Sequence, residues 1–79
     1  MTKFEKVHEV ADFVGGSVRE DYSGRFMFGK SCWGIVTNDP DGAIRKATRL
    51  GLRGGRMDNM GLDYIVYWPH IRVKAKKGA

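Results

Sequence analysis

The chain has 79 residues, a net charge of +5 and a single cysteine, Cys32. A chain of this length is expected to form one domain, residues 1–79, and to bury only about 60% of the surface exposed when it is unfolded. One cysteine excludes an internal disulfide and favours a reducing compartment. Because no apolar stretch reaches membrane-spanning length and no signal peptide is visible, we expect a cytoplasmic protein without a membrane partner.

The first predicted element is a helix that starts with the capping-box pattern Thr2-x-x-Glu5 and runs to about Val14. Gly15-Gly16 is expected to end it, because glycine adopts the left-handed conformation that closes many helices. Its buried face at helical spacing comprises Phe4, Val7, Val10, Ala11 and Val14.

Two strands are expected to follow. Residues 17–22 form a short strand, and the turn Tyr22-Ser-Gly-Arg25 leads into a central strand that reaches Thr37. Phe26 and Phe28 share one face of this central strand.

The segment from Gly24 to Ser31 matches the phosphate-binding pattern G-x-x-x-x-G-K-[ST] letter for letter. A working phosphate-binding loop follows a buried strand and opens a helix, because backbone N–H groups and the helix dipole must converge on the phosphate. Here mostly charged residues precede the match and strand-forming residues follow it. We therefore interpret the match as coincidental and expect no nucleotide hydrolysis.

A second helix is predicted from Asp39-Pro40, with aspartate as the N-cap and proline at the first helical position. It continues to Leu50 and stops at Gly51. The residues expected on its buried face are Ala43, Ile44, Ala47 and Leu50.

The last predicted unit is a turn, Asp58–Gly61, followed by an apolar strand, Leu62–Trp68. Pro69 is expected to end that strand, because proline cannot donate a ladder hydrogen bond. Ile71 and Val73 suggest an added edge strand, and a basic tail begins at about residue 74. Together these elements predict a small α+β domain, with two helices packed on one face of a mostly antiparallel sheet of three to five strands.

Charge is unevenly distributed along the chain, with a net −2 over residues 1–21 and +7 over residues 22–79. This asymmetry predicts a charged macromolecular partner. The densest feature is a run of five basic residues without an acid between positions 43 and 57. The predicted partner-binding residues are Arg45, Lys46, Arg49, Arg53 and Arg56. The alternative acidic set is Glu5, Glu9, Asp12, Glu20 and Asp21.

Catalytic chemistry finds little support in the sequence. Nothing indicates that Cys32 meets His8 or His70, and two histidines and one cysteine give no metal-ligand spacing. Asp58 and Asp63 flank a predicted turn, where aspartates usually satisfy the local backbone. We therefore predict a protein that is not an enzyme and that takes no cofactor, metal or small-molecule substrate.

Two binding hypotheses remain open. In one, the arginine cluster and the Lys74–Lys77 tail hold phosphates while exposed Tyr64, Tyr67 or Trp68 stack on bases. In the other, the domain is a compact protein that docks on another protein.

Five segments of the chain carry a resemblance to a known group. They are Tyr22-Ser-Gly-Arg25, Gly29-Lys-Ser-Cys32, Gly34-Ile-Val36, Asp39-Pro40 and Asp58-Asn-Met-Gly-Leu-Asp-Tyr-Ile-Val-Tyr-Trp-Pro69. Together they resemble small single-domain proteins of phages and prophages. Among these the chain is most similar to anti-CRISPR inhibitors of type I systems, with the type I-C group as one candidate.

The resemblance implies a stoichiometric inhibitor in the host cytoplasm that binds a subunit of the Cascade surveillance complex and keeps target DNA out. It carries over no functional residue. Many DNA mimics are strongly acidic, and this chain departs from them at +5. The acidic set would contact a basic DNA-binding groove, whereas the arginine cluster would contact an acidic protein surface or guide RNA.

Overall fold

A computed structural model describes residues 1–23 and 30–72 of the chain. Its elements are α1 (Lys3–Val14), β1 (Ser17–Tyr22), β2 (Cys32–Thr37), α2 (Pro40–Arg49), β3 (Arg56–Asn59) and β4 (Tyr64–Arg72). The strands form one antiparallel sheet in the order β1-β2-β4-β3. The α+β prediction is confirmed. Phe26, Phe28, most of the phosphate-loop match and the basic tail lie outside the described residues.

Helix α1 begins and ends where its local signals predict. The Thr2 hydroxyl accepts a hydrogen bond from the Glu5 backbone at 3.1 Å, and the Glu5 carboxylate accepts one from the Thr2 backbone at 2.7 Å. Gly15 closes the helix with φ of +67°. Gly16 has a second role, since a Cβ there would lie 2.7 Å from the Ile35 side chain. It therefore lets the chain pass closely over β2.

Helix α2 also follows its predicted boundaries. Asp39 is the N-cap, and its carboxylate accepts a hydrogen bond from the Gly42 backbone at 3.0 Å. Pro40 occupies the first turn, and Leu50 caps the other end before Gly51 at φ of +88°. Neither described helix has the length and apolar character needed to cross a membrane.

The main core lies between the two helices and one face of the sheet. It comprises Val7, Val10, Ala11, Ile35, Ala43, Ala47, Leu52, Val66, Trp68 and Ile71, all buried. Phe4, Val14, Ile44 and Leu50, which the helical spacing also assigned to buried faces, are half-buried at its margin. Helix α1 lies mainly over β1 and β2, whereas α2 lies mainly over β4. Both helices thus pack on the same face of the sheet, as predicted.

Strand β4 runs past Pro69, so the prediction that this proline ends the strand is wrong. The pairing with β2 shows why: Trp33 lies opposite Trp68, but the next residue, Cys32, lies opposite Arg72. The residues between Trp68 and Arg72 form a bulge. Because bulged residues do not all donate to the ladder, proline is accommodated there.

Strand β3 replaces the predicted turn at Asp58–Gly61. Asp58 and Asn59 pair with β4, and the hairpin closes where the Met60 backbone donates to the Asp63 carbonyl at 2.8 Å. The Asn59 side chain accepts a hydrogen bond from the Gly61 backbone, which moves the turn towards the C-terminus.

Two further residues are displaced from their predicted elements by this shift. Leu62, predicted to be in a strand, is in the turn and is 96% exposed. Arg56, which lies between the predicted second helix and the predicted turn, begins β3.

Candidate interaction surface

The outward face of α2 carries exposed cations. Arg45 and Arg49 are both exposed and lie one turn apart, away from the buried Ala43 and Ala47. The last turn of the helix contains basic residues, and cations are favoured there because the helix dipole places partial negative charge at the C-terminal end. The sequence therefore folds so that the cations project into solvent while the alanines pack on the sheet.

Lys46 differs from the other predicted cations because it contacts the neighbouring helix. It is half-buried, and its ammonium nitrogen lies 5.1 Å from the centre of the Phe13 ring on α1. Such a cation–π contact contributes roughly 0.5–1 kcal/mol at an exposed site. Lys46 thus helps to join α1 to α2 and is less available to a partner than the prediction assumed.

Arg53 and Arg56 follow α2 on the path to the sheet edge, and both are exposed. Arg56 lies opposite Tyr67 in the β3–β4 ladder and so projects from the face of the sheet that lacks helices. The structure therefore divides the predicted cluster between α2 and the β3 edge. We call the three exposed residues on and just after α2, Arg45, Arg49 and Arg53, the basic surface, and Arg56 lies apart from them.

None of these arginines has an acidic partner at ion-pair distance within residues 1–23 and 30–72. In that part of the chain a single ion pair occurs, between Arg19 and Asp21 at 3.8 Å. The basic surface therefore keeps its charge unneutralised by neighbouring side chains. Such a surface attracts an anion from solution or from a partner.

The predicted acidic residues lie on α1 and β1, which carry none of the predicted basic residues. Glu9 and Asp12 are exposed on α1, and Glu20 and Asp21 are exposed on the edge strand β1. The edge strands β1 and β3 are far apart in the sheet, whereas α1 packs directly against α2, so Glu9 and Asp12 lie on a helix that neighbours the basic surface. Glu5 is committed to the capping box, and the hydrogen bond from the Thr2 backbone lowers the pKa of its carboxyl.

The aromatic residues predicted to stack on bases are not available to do so. Tyr67 is 3% exposed and Trp68 is fully buried. Tyr64 is half-buried. Burial follows from the position of β4 between β2 and β3, since a central strand has neighbours on both sides and here packs on both faces.

The helix-free face carries a small polar and aromatic cluster that sequence analysis missed. Tyr22 on β1 donates its hydroxyl hydrogen to Asp58 on β3 at 2.6 Å, and its ring centre lies 4.9 Å from that of Tyr67. Tyr22 therefore spans the sheet from one edge strand to the other. The one feature of the sequence that could have indicated this cluster is Gly34, a glycine inside a strand. A Cβ at Gly34 would lie 3.0 Å from the Tyr67 Cβ. Glycine inside a strand often marks such close packing.

Cys32, the candidate nucleophile, lies in a position that does not favour catalysis. Cys32 is fully buried on the helix-free face, and burial raises the pKa of its thiol. His8 lies on the other face, where its ring meets Trp33 edge-on with centres 5.5 Å apart. Within the described residues, no three His, Cys, Asp or Glu side chains are grouped closely enough to hold a metal ion.

Replacing Tyr22 by phenylalanine tests the cluster. Burial, followed by the hydrogen bond to Asp58, raises the pKa of Tyr22 above its ordinary value of 10.0. The folded state thus favours the protonated phenol, so this contribution to stability is complete below pH 10 and is lost as the pH rises beyond that value. We expect Tyr22→Phe to lower the free energy of unfolding by about 1–2 kcal/mol at pH 7, as measured in urea.

Tyr64→Phe is the matched control, because the Tyr64 hydroxyl makes no hydrogen bond within the part of the chain described. Its effect should stay within about 0.5 kcal/mol. The variant lacking the Tyr22 hydroxyl should also lose less stability between pH 9 and 11 than the wild type. Equal stability of the wild type and Tyr22→Phe would show that the Asp58 hydrogen bond contributes nothing.

No protein family, curated protein or solved structure matches this chain. The class of molecule is therefore defined by its fold and surface: it is a small α+β domain with exposed carboxylates on α1 and β1 and a basic surface on and just after α2.

Proposed function

We propose that the protein is a non-enzymatic binding protein that docks on a nucleic-acid-handling complex through the basic surface. The observation that carries this proposal is the set of exposed arginines without acidic partners in the described part of the chain. Uncompensated charge on one side of a domain speeds association with a surface of opposite sign and suppresses wrong partners.

The sequence resemblance narrows the partner to the Cascade complex of a type I CRISPR system, with type I-C the first to be tested. In this proposal the protein is an anti-CRISPR inhibitor that occupies Cascade and prevents target DNA from binding. The basic surface contacts acidic protein surface or guide RNA. Because Glu9 and Asp12 lie on α1 while Arg45 and Arg49 lie on α2, an anionic surface favours the orientation that presents α2 over the one that presents α1.

Direct binding of nucleic acid is the second candidate, and the same arginines favour it. Because Tyr67 and Trp68 are buried, base stacking by these side chains does not contribute. Such binding would rest on phosphate contacts, would ignore sequence and would weaken steeply with salt.

The deciding experiment is a mobility-shift assay with purified type I-C Cascade and a labelled target duplex. Incubating Cascade with an equimolar amount of the protein before adding DNA should remove the shifted band, and the protein should co-elute with Cascade in size-exclusion chromatography. A parallel titration of the protein alone against the duplex at low salt tests the second candidate. Full DNA binding by Cascade in excess protein, without co-elution, would contradict docking on that complex.

A further inference from the structure

The β3 strand is an open edge of the sheet. Within the described residues it pairs with β4 alone, and Arg56, Met57 and Asn59 are exposed along it. Met57 is an apolar side chain that is 47% exposed. An uncovered edge strand presents unpaired backbone N–H and C=O groups, which readily pair with another strand.

The hairpin fixes which backbone groups of β3 face that open edge. The Met60 backbone donates to Asp63, and hydrogen-bonded pairs alternate along an antiparallel ladder. Counting from that pair, Asp58 exchanges its hydrogen bonds with β4. The N–H and C=O of Met57 and Asn59 therefore point away from the sheet.

We propose that β3 pairs with the β3 strand of a second copy of this chain, antiparallel, about a twofold axis at Met57. In that register Met57 of one protomer lies opposite Met57 of its partner, and the two exchange backbone hydrogen bonds. Arg56 of each protomer lies opposite Asp58 of the other. The interface is thus self-complementary, as a twofold interface must be.

Charge favours the register centred on Met57 over the register centred on Asp58. Pairing centred on Asp58 would also use the outward backbone groups, but it would place Asp58 opposite Asp58, and like charges directly opposite are destabilising. The register centred on Met57 instead forms two pairs of opposite charge. The Asp58 Oδ2 atom accepts the hydrogen bond from Tyr22 at 2.6 Å, and within the described residues Oδ1 makes no hydrogen bond and could accept one from Arg56 of the second copy.

The side chains that the register brings together project from the same face of the sheet. Arg56 lies opposite Tyr67 and Asp58 opposite Ile65, so both project from the helix-free face. Met57 lies opposite Val66 and projects from the helix side. The charge pairs and the methionine contact therefore form on opposite faces of one continuous sheet.

The twofold axis stands perpendicular to that sheet, because it relates antiparallel neighbours without exchanging the faces. Both α2 helices then lie on the same side. Helix α2 sits mainly over β4, so the two helices are about 14 Å apart, or three strand spacings. The dimer would thus carry two basic surfaces side by side, yet its formation requires no other partner.

Sedimentation velocity of the protein alone tests the dimer. A concentration series should show a reversible change from 8.9 kDa to twice that mass. Met57→Pro removes the outward N–H while leaving every monomer hydrogen bond in place, as proline on an edge strand permits. It should weaken the dimer at least about tenfold, since it removes both central backbone hydrogen bonds.

Arg56→Glu places a carboxylate opposite Asp58 and should also weaken the dimer about tenfold. Arg53→Glu is the matched control, because it makes the same change of charge outside the paired residues. Equal weakening by both variants would show that total charge, and not the register, governs association.

Cysteine cross-linking tests the register itself. The Cα atoms of a hydrogen-bonded antiparallel pair are about 5.5 Å apart, within the range that a disulfide spans. Met57→Cys should therefore form a disulfide-linked dimer under mild oxidation, since Cys32 is buried. Leu62→Cys, although 96% exposed in the turn, should not.

A chain that stays monomeric throughout the concentration series would overturn the proposal. The dimer would also be ruled out if Met57→Pro abolishes binding to Cascade while no dimer is found, since the edge would then hold a different protein. Equal cross-linking of the two cysteine variants would contradict the register. The sedimentation and cross-linking outcomes are measured on the protein alone, so they do not depend on whether the basic surface binds Cascade.

Discussion

Reversing two charges on α2, by Arg45→Glu together with Arg49→Glu, is expected to lower the affinity for the docking partner at least about 100-fold. Each substitution replaces an attraction with a repulsion at the same place, and a loss of 100-fold corresponds to about 2.8 kcal/mol. Both side chains are exposed, so the fold should be retained. Circular dichroism and thermal unfolding check that condition, and biolayer interferometry against immobilised Cascade measures the affinity.

The exposed carboxylates of α1 supply the matched control. Glu9→Lys together with Asp12→Lys changes the net charge by the same magnitude in the opposite direction, at exposed positions of α1. This variant should bind as well as the wild type or better. Glu5 is left unchanged because its carboxylate closes the capping box, so reversing it would confuse a loss of helix stability with a loss of docking.

The salt dependence of the association rate distinguishes a loss of electrostatic attraction from a general loss of structure. Exposed charges are screened over about 8 Å at physiological ionic strength. The wild-type association rate should therefore fall as salt rises, whereas the rate of the doubly reversed α2 variant should change little or in the opposite direction. If reversal of Glu9 and Asp12 abolishes docking while reversal of Arg45 and Arg49 does not, the protein covers a basic groove with α1 and the proposed orientation is wrong.

The two helices could be predicted from the sequence because their signals are local. The Thr2–Glu5 capping box and the Asp39-Pro40 start act within four residues, and the structure contains both caps. Strand β3 could not be predicted in the same way. Its four residues, Arg56–Asn59, show no apolar alternation. They form a strand because the backbone N–H and C=O groups on one side of β4 are available for pairing. That availability is a property of the assembled sheet.

The basic surface could be predicted only in part, because some of its features are local and others depend on the tertiary structure. Arginine is rarely buried without a partner, so the exposure of Arg45 and Arg49 follows from residue type and helical spacing. The cation–π contact between Lys46 and Phe13 depends on how α1 packs against α2. No local sequence pattern predicts that packing. The bond between Tyr22 and Asp58 joins residues 36 positions apart in sequence. Such contacts become visible once the strand order is known.

Trp68→Ala is expected to have the largest effect on stability. Trp68 is the largest fully buried side chain, and it joins α1, α2 and the sheet in the main core. Replacing a buried tryptophan by alanine costs about 3–5 kcal/mol. A domain of 79 residues has a free energy of unfolding of about 4–12 kcal/mol, at roughly 0.05–0.15 kcal/mol per residue. The variant should therefore lose from about a quarter to all of its free energy of unfolding, seen by circular dichroism as a lower thermal unfolding midpoint.

Trp68→Phe keeps an aromatic ring in the core while removing the indole N–H. Within the described residues the indole N–H of Trp68 has no acceptor, and it lies against Gly55, where a Cβ would approach it to 2.9 Å. Removing an unpaired buried donor relieves a desolvation penalty, which offsets part of the lost volume. We therefore expect Trp68→Phe to lower stability by less than half as much as Trp68→Ala. A loss in urea denaturation greater than half that of Trp68→Ala would contradict this expectation and show that the lost indole contacts outweigh the relieved desolvation penalty.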